Sequence, residues 1–499
     1  MKVKSHVWVL MGLSGAGVLS SAHAVDWITL QGTEPPHVTS RFFGLISGSY
    51  LNYLGCDELS GLAAPNGTPD GNPNAGPGLN NGGYVNNCRA GPELRNKRSG
   101  TVLEALMLGS RGNIVPGKIN YFLAANLGQN AANYEPNNTK RKYIGSLTDA
   151  TATFSYIPGA RARIGLMRKP GPEELMQSFQ VRNYIEPTDF IRRDQIERFI
   201  EGNAKGTKPI PGQSYGTTEA DSNITTYAYD ADVARDWGVQ LFDAFTFGKW
   251  THTYAVMFGN GNGIHSTDNN DDKDINIYWS THYDLPGGKG PHKHGVKAYA
   301  YHQKGVRNFI IDPDGTQSED FDRIRYGFGF QAIGHLFGEA GHKHRIGMDL
   351  MFAEGMVLQS VTNSYTDGAW GGYYQIAAER ENKARGITLD YGFYLNKRWD
   401  FGIRFARNNL LYETVNNSVW KDSDERTITQ LTLGVNYYFN PKTRLSVNYE
   451  FRESEAPNPV LPAGSSAAAI NNAAVSTRNA DINTSTIGDV AGIRLTYFF

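Results

Sequence analysis

Ile387-Thr388-Leu389-Asp390-Tyr391-Gly392-Phe393-Tyr394-Leu395 separates into two sets of residues. Ile387, Leu389, Tyr391, Phe393 and Leu395 are apolar, and Thr388, Asp390, Gly392 and Tyr394 stand between them. Side chains along a strand point alternately to opposite faces, so one face of this segment meets an apolar medium and the other a polar one. After Asn396-Lys397-Arg398 the pattern restarts at Trp399, Phe401, Ile403 and Phe405, with Asp400, Gly402 and Arg404 interleaved. The pair reads as a tight hairpin.

The same period returns at Leu445, Val447, Tyr449 and Phe451, entered through Asn440-Pro441-Lys442-Thr443. It returns again at Ile275, Ile277, Trp279, Thr281 and Tyr283, and at Ile324, Tyr326, Phe328 and Phe330, set against Arg323, Arg325 and Gln331. A soluble sandwich also alternates, so the connections decide. Short turns near 112–117, 157–160, 247–249, 286–295, 339–342, 396–398 and 440–443 take turns with long polar loops. These loops lie near 55–98, 129–143, 169–231, 260–273, 305–321, 357–382, 408–424 and 455–484. Short on one side and long on the other is the pattern of an outer-membrane barrel with periplasmic turns and external loops. The expected fold is therefore all-β: a transmembrane antiparallel barrel of about sixteen strands around an aqueous lumen.

Targeting agrees with this. Lys2 and Lys4 precede an apolar run, Val7 to Val18, too short to cross a bilayer as a helix, and Ala22-His23-Ala24 has the small residues of a cleavage site. Residues 1–24 read as a signal peptide and 25–499 as the barrel, exported to the outer membrane. No apolar stretch of membrane-helix length follows. The mean hydropathy is −0.45, yet 12% of the residues are aromatic. Strands with a single lipid face, ringed by interfacial Tyr, Phe and Trp, reconcile the two values. A formal net charge of −1, made more negative when the leader and its lysines are removed, argues against nucleic acid as a partner.

The two cysteines, Cys56 and Cys88, fall in one Gly/Asn/Pro-rich loop of an exported chain, and a disulfide is expected. On the chain-entropy estimate it would stabilise by about 3–4 kcal/mol. The chain ends on Ile493, Leu495, Tyr497 and Phe499, apolar at every second position as a closing strand requires.

No GxSxG, HExxH, Walker or CxxCH pattern occurs, and Asp268, Asp271, Asp272 and Asp274 lack the spacing of an EF-hand. Neither an enzyme, a cofactor nor a metal centre is expected. A pore acts through the width and charge of its lumen. Inward parity falls on Arg161, Arg163, Arg323, Arg325, Arg345, Arg404, Arg452 and Arg494, and also on Asp149, Asp284, Asp349, Asp390, Asp400 and Glu450. Two readings stand together: the arginines pass anions between weak sites, or they pair with the inward acids and hold the wall.

The longest loop, 169–231, is third among the external ones and carries Lys169, Arg182, Arg192, Arg193 and Arg198 with Asp189, Asp194, Glu197 and Glu201. Folded into the barrel it would constrict the lumen; folded out it is an external flap. His292-Lys293-His294 and His342-Lys343-His344 lie on neighbouring periplasmic turns and read as flexible basic turns before they read as a metal or partner site.

Several motifs resemble the phosphate-selective porin O and P family of outer-membrane porins. They are Arg163-Ile164-Gly165-Leu166-Met167-Arg168-Lys169-Pro170, Arg235-Asp236-Trp237-Gly238-Val239-Gln240-Leu241, Tyr254 with Phe258-Gly259-Asn260-Gly261, Gly434 to Pro441, Arg444 to Tyr449, and Gly492-Ile493-Arg494-Leu495. Their order covers roughly 160 to 499. The resemblance implies a sixteen-stranded barrel, commonly a homotrimer, with the third loop inside and a ladder of inward arginines that passes phosphate or other small anions. The sequence departs from that ladder after Arg163, where Gly165 and Met167 hold the next inward positions, and the loop mixes acids with bases. A passive channel for small hydrophilic solutes is the first expectation. A barrel acting as scaffold or adhesin, for example around a periplasmic electron carrier, is the second.

Overall fold

The fold was read from a computed structural model. The structure describes residues 27–30, 34–54, 99–127, 146–177, 181–196, 234–264, 268, 270–288, 293–310, 318–338, 341–359, 365–366, 369–370, 375–377, 380–412, 425–457, 461–467, 469–470 and 487–499. The signal peptide, Cys56, Cys88, His292, and residues 178–180 and 197–231 of the third loop lie outside the described residues.

Sixteen antiparallel strands close into a barrel. They are β1 (Arg41–Tyr53), β2 (Ser99–Val115), β3 (Ile119–Asn126), β4 (Ser146–Ile157), β5 (Ala160–Arg168), β6 (Arg235–Phe247), β7 (Trp250–Gly259), β8 (Asp274–Asp284), β9 (Gly295–Ile310), β10 (Ser318–Gly334) and β11 (Lys343–Glu354), continued by β16 (Lys383–Tyr394), β17 (Trp399–Leu410), β18 (Arg426–Asn440), β19 (Thr443–Glu455) and β20 (Val490–Phe498). Between β11 and β16 the loop carries two small sheets of its own, β12 (Val357–Gln359) with β15 (Gln375–Ala377), and β13 (Tyr365–Thr366) with β14 (Ala369–Trp370). The seam is β1 against β20, in register from Leu45↔Phe498 to Tyr53↔Val490. Phe499 extends it by exchanging backbone bonds with Gly44 at 3.1 and 3.2 Å. Closure leaves no unpaired strand edge to lipid, the condition for a sheet to live in a bilayer.

The alternation read in the sequence decides which face is which. Ile164, Leu389, Ile403, Val447 and Ile493 are exposed on the outside, whereas their neighbours Arg163, Thr388, Arg404, Ser446 and Arg494 are buried inside. Aromatic rings gather near the short turns, where Trp250 meets Tyr283 with centroids 4.8 Å apart and Trp399 meets Tyr437 at 4.6 Å. Amphipathic rings of this kind favour the lipid–water boundary. Gly159 and Gly248 hold φ of +77° and +59°, the left-handed backbone that two-residue hairpins need.

One boundary differs from expectation. The loop expected over 305–321 is shorter, because β9 runs to Ile310 and β10 starts at Ser318. This hairpin rises beyond the apolar belt, so its outward His302 and Lys304 are polar and exposed and the period-two signal fades while the strands continue.

The segment before β1 also enters the barrel. Trp27–Leu30 forms one helical turn. Ile28 packs with Met176, Phe242, Tyr278 and Tyr299 inside the lumen, and its carbonyl accepts Arg163 Nη2 at 3.0 Å. From there the chain descends to the rim, where Glu34 pairs with Arg111 at 2.8 Å and Asn113 Nδ2 donates to the carbonyls of Pro35 and Val38.

Candidate functional site: the lumen and the loop that crosses it

Three residues before β5 ends, Gly165 takes φ +125°, and a Cβ there would stand 2.0 Å from the Ala150 carbonyl oxygen. Only glycine fits that bend. Past it the chain turns inward at Lys169. Lys169 Nζ lies 3.4 Å from Asp274 Oδ2, and Arg307 grips the same carboxylate at 2.8 and 3.0 Å. Burial pulls the Lys169 amine down to about 8, against the pull of Asp274. Gln303 Nε2 donates to the Pro170 carbonyl at 2.7 Å.

A single helical turn, Glu173–Met176, then reaches across the lumen. Glu173 pairs with Lys297 of β9 and accepts the Tyr278 hydroxyl at 3.1 Å. Its neighbour Glu174 accepts Arg404 of β17 at 2.9 Å. The turn is thus pinned to two stretches of wall four strands apart in the ring of sixteen. From Asn183 the chain runs along β16 to β20. The Asn183 carbonyl accepts Asn436, the Ile185 amide donates to Asn448 Oδ1 at 2.6 Å, and the Ile185 carbonyl accepts Arg494 Nη2 at 2.6 Å. Asp189 receives Asn408 and Arg193, and its amide donates to Gln430. A π-helical turn, Ile191–Gln195, returns to β10, where Arg325 Nε donates to the Asp194 carbonyl at 2.6 Å.

The wall makes room for this loop with glycine. Gly392, Gly402 and Gly434 face one another in register across β16, β17 and β18. The Tyr184 ring lies over this bare row, so a Cβ at Gly402 would be 2.7 Å from its hydroxyl and one at Gly434 would be 3.0 Å from its ring. Tyr184 donates to Asp390 Oδ1 at 2.5 Å, and the Arg404 guanidinium stacks 4.5 Å from its centroid. A Cβ at Gly386 would likewise stand 2.7 Å from Phe190. A glycine inside a strand marks such close approaches, and the recurrence of these four at inward parity is a signal that the reading of the inward charges passed over.

Among the described residues a cavity of about 150 Å³ lies between the Glu173–Met176 turn and the wall of β8 to β11 with β16 and β17. Lys297, Arg345, Arg404 and Arg182 line it together with Glu173, Glu174, Asp349 and Asp390. Arg345 binds Asp390 at 2.8 Å and Asp400 at 3.3 Å.

The remaining expected residues sit elsewhere. Arg161 pairs with Asp243 at 2.8 Å. Arg163 donates to Gln240 and to the Ile28 carbonyl. Arg323 and Arg325 bind backbone carbonyls of the loop, and Arg325 also binds those of Gly355 and Met356. Arg452 Nε donates to the Gly488 carbonyl. In the loop, Arg192 pairs with Glu186 and Arg193 with Asp189. The structure thus brings Arg345 and Arg404 together at this cavity and turns Arg163, Arg323, Arg325 and Arg494 to anchoring. His294 of the first basic turn packs against His335, at the end of β10, with ring centroids 5.2 Å apart, and among the described residues no group of three metal-ligating side chains forms.

The sequence matches no family model and no curated protein. Solved structures with a similar outline include OmpF of Salmonella typhi in complex with daunomycin, at 10% identity and TM-score 0.46, covering 94% of this chain and 100% of that one. An anion-selective porin from Comamonas acidovorans, at 12% identity and TM-score 0.44, covers 93% and 100%. A loop-deletion mutant of OmpT, an outer membrane protein of Vibrio cholerae, at 9% identity and TM-score 0.44, covers 92% and 99%. Likeness at this level carries no residue role over to this chain.

Proposed function

We propose that the chain is an outer-membrane porin, a passive diffusion channel for small hydrophilic solutes. One observation carries this reading: a cavity lined by charged residues is left beside a loop that is pinned to β8 through Lys169 and to β20 through Ile185, on opposite sides of the lumen. A scaffold needs no such passage. A wall of paired charges suits hydrated solutes, which pass by exchanging water for weak polar contacts. Reconstitution into a planar bilayer tests the reading. Stepwise conductance is expected, and its absence at saturating protein overturns it.

Preference for anions or phosphate is the finer form of the proposal and would rest on Arg345, Arg404 and Arg182. Carboxylates hold Arg345 and Arg404, which weakens that form. Cleavage after Ala24, a Cys56–Cys88 disulfide and assembly as a homotrimer complete the proposal and rest on the sequence. Chemical cross-linking in membranes checks the last, with a ladder ending at three copies as the expected result.

A further inference from the structure

Four carboxylates line the passage, and three of them have a cation: Glu173 with Lys297, Glu174 with Arg404, and Asp390 with Arg345. Asp349 forms no ion pair among the described residues. Its Oδ1 accepts the Tyr299 hydroxyl, whose oxygen in turn accepts the Glu173 backbone N–H at 3.2 Å. The bond has space because Gly329, which faces Asp349 in the β10–β11 register, carries no side chain; a Cβ there would come within 2.4 Å of Asp349 Oδ1. On its own strand the next inward position toward the short turns is Gly347, where a Cβ would meet nothing nearer than 3.5 Å. Asp349 is half-buried and faces the cavity between two bare positions, and Glu173, Glu174 and Asp390 crowd it with like charge, so its charge is least costly when a cation stands beside it.

The cations nearby do not answer this charge. Arg345 is shared between Asp390 and Asp400, and Arg404 between Glu174 and Glu450. Lys293 is paired with Asp284. Lys293, Lys297, Arg345 and Arg404 are therefore each matched by at least one acid, with Asp349 left over, and Arg182 of the loop is a further lining cation. A carboxylate offers only acceptors. It attracts alkali cations and ammonium groups and repels anions, and in a narrow passage with low-dielectric walls a single charge decides more than it would in water.

We infer that Asp349 is the specificity-determining residue of the passage, giving it a preference for monovalent cations and ammonium-bearing solutes over anions. The inference rests on the porin reading and reverses the sign that the inward arginines suggested.

The test uses the full-length protein in planar bilayers under a potassium chloride gradient. Wild type should reverse on the cation side, and Asp349→Asn should lower the cation-to-anion permeability ratio by about twofold or more, while Asp349→Glu retains it. Gly347→Lys, which sets an ammonium beside Asp349 where there is space, should act as Asp349→Asn does and stands in should that variant fail to fold. An anion-side reversal potential for wild type, or an unchanged ratio in Asp349→Asn or Gly347→Lys, overturns the role of Asp349 while leaving the pore intact. Absence of any conductance overturns the porin reading itself.

Discussion

At the scale of single residues the lumen is governed by what glycines omit. Tyr184 rests on Gly402 and Gly434, and Phe190 on Gly386. Gly402→Ala and Gly386→Ala each put a Cβ within 2.7 Å of a ring that the loop holds in place, and overpacking of this kind costs about 1–3 kcal/mol. The expected outcome is faster proteolysis of the loop with an unchanged heat-modifiable barrel band on gels. Tyr184→Phe should cost a similar amount by a different route, removing a hydrogen bond to Asp390 worth roughly 1.5–3 kcal/mol and no packing. The inward arginines were legible from parity alone, but their partners were not. Arg325 and Arg494 bind backbone carbonyls of a loop more than a hundred residues away, and no local spacing announces such a partner.

At the scale of the element, the loop is a strap with two grips. Arg404 holds Glu174, the Glu186 carbonyl and Glu450 together. Arg404→Ala leaves two buried carboxylates without their cation, a loss of about 3–5 kcal/mol where one partner of a buried pair is removed. Single-channel records should then show larger, noisier steps as the strap leaves the wall. Asp194 gives the strap a pH response. Burial raises its carboxyl from the usual 3.8 to about 6, against the pull of Arg325. Between these values the seated loop binds a proton that the released loop does not, so seating weakens as pH rises from about 4 to about 6 and is level above. Asp194→Asn should abolish the slope, read as the rate of loop cleavage by a protease active across that range. Strand positions were legible because one side of each strand meets lipid. Loop seating was not, because its contacts lie between segments distant in sequence and the loop itself shows no period.

At the scale of the whole molecule, sixteen strands, short turns at one end and long loops at the other follow from alternation and turn spacing, and the ring of hydrogen bonds accounts for closure. Deleting Phe499 should slow assembly, since its ring fills the space above Gly44 and its backbone lengthens the seam. Heat-modifiability after timed refolding reads that rate. The turn at Trp27–Leu30 was missed, because four residues carry too little pattern to be recognised. Replacing them with Gly-Ser should open the side of the lumen lined by Phe242 and Tyr278 and raise conductance.

Ile28 has a consequence for biogenesis. Were the chain cut after Ala24 as proposed, only Val25, Asp26 and Trp27 would separate Ile28 from the new amino terminus, which would then start within a few residues of the barrel interior. A leader still attached would carry its own apolar stretch toward the same confined volume. On that proposal, release of the leader would be more than an address label being torn off: it would trim the chain to the length that its own cavity can hold.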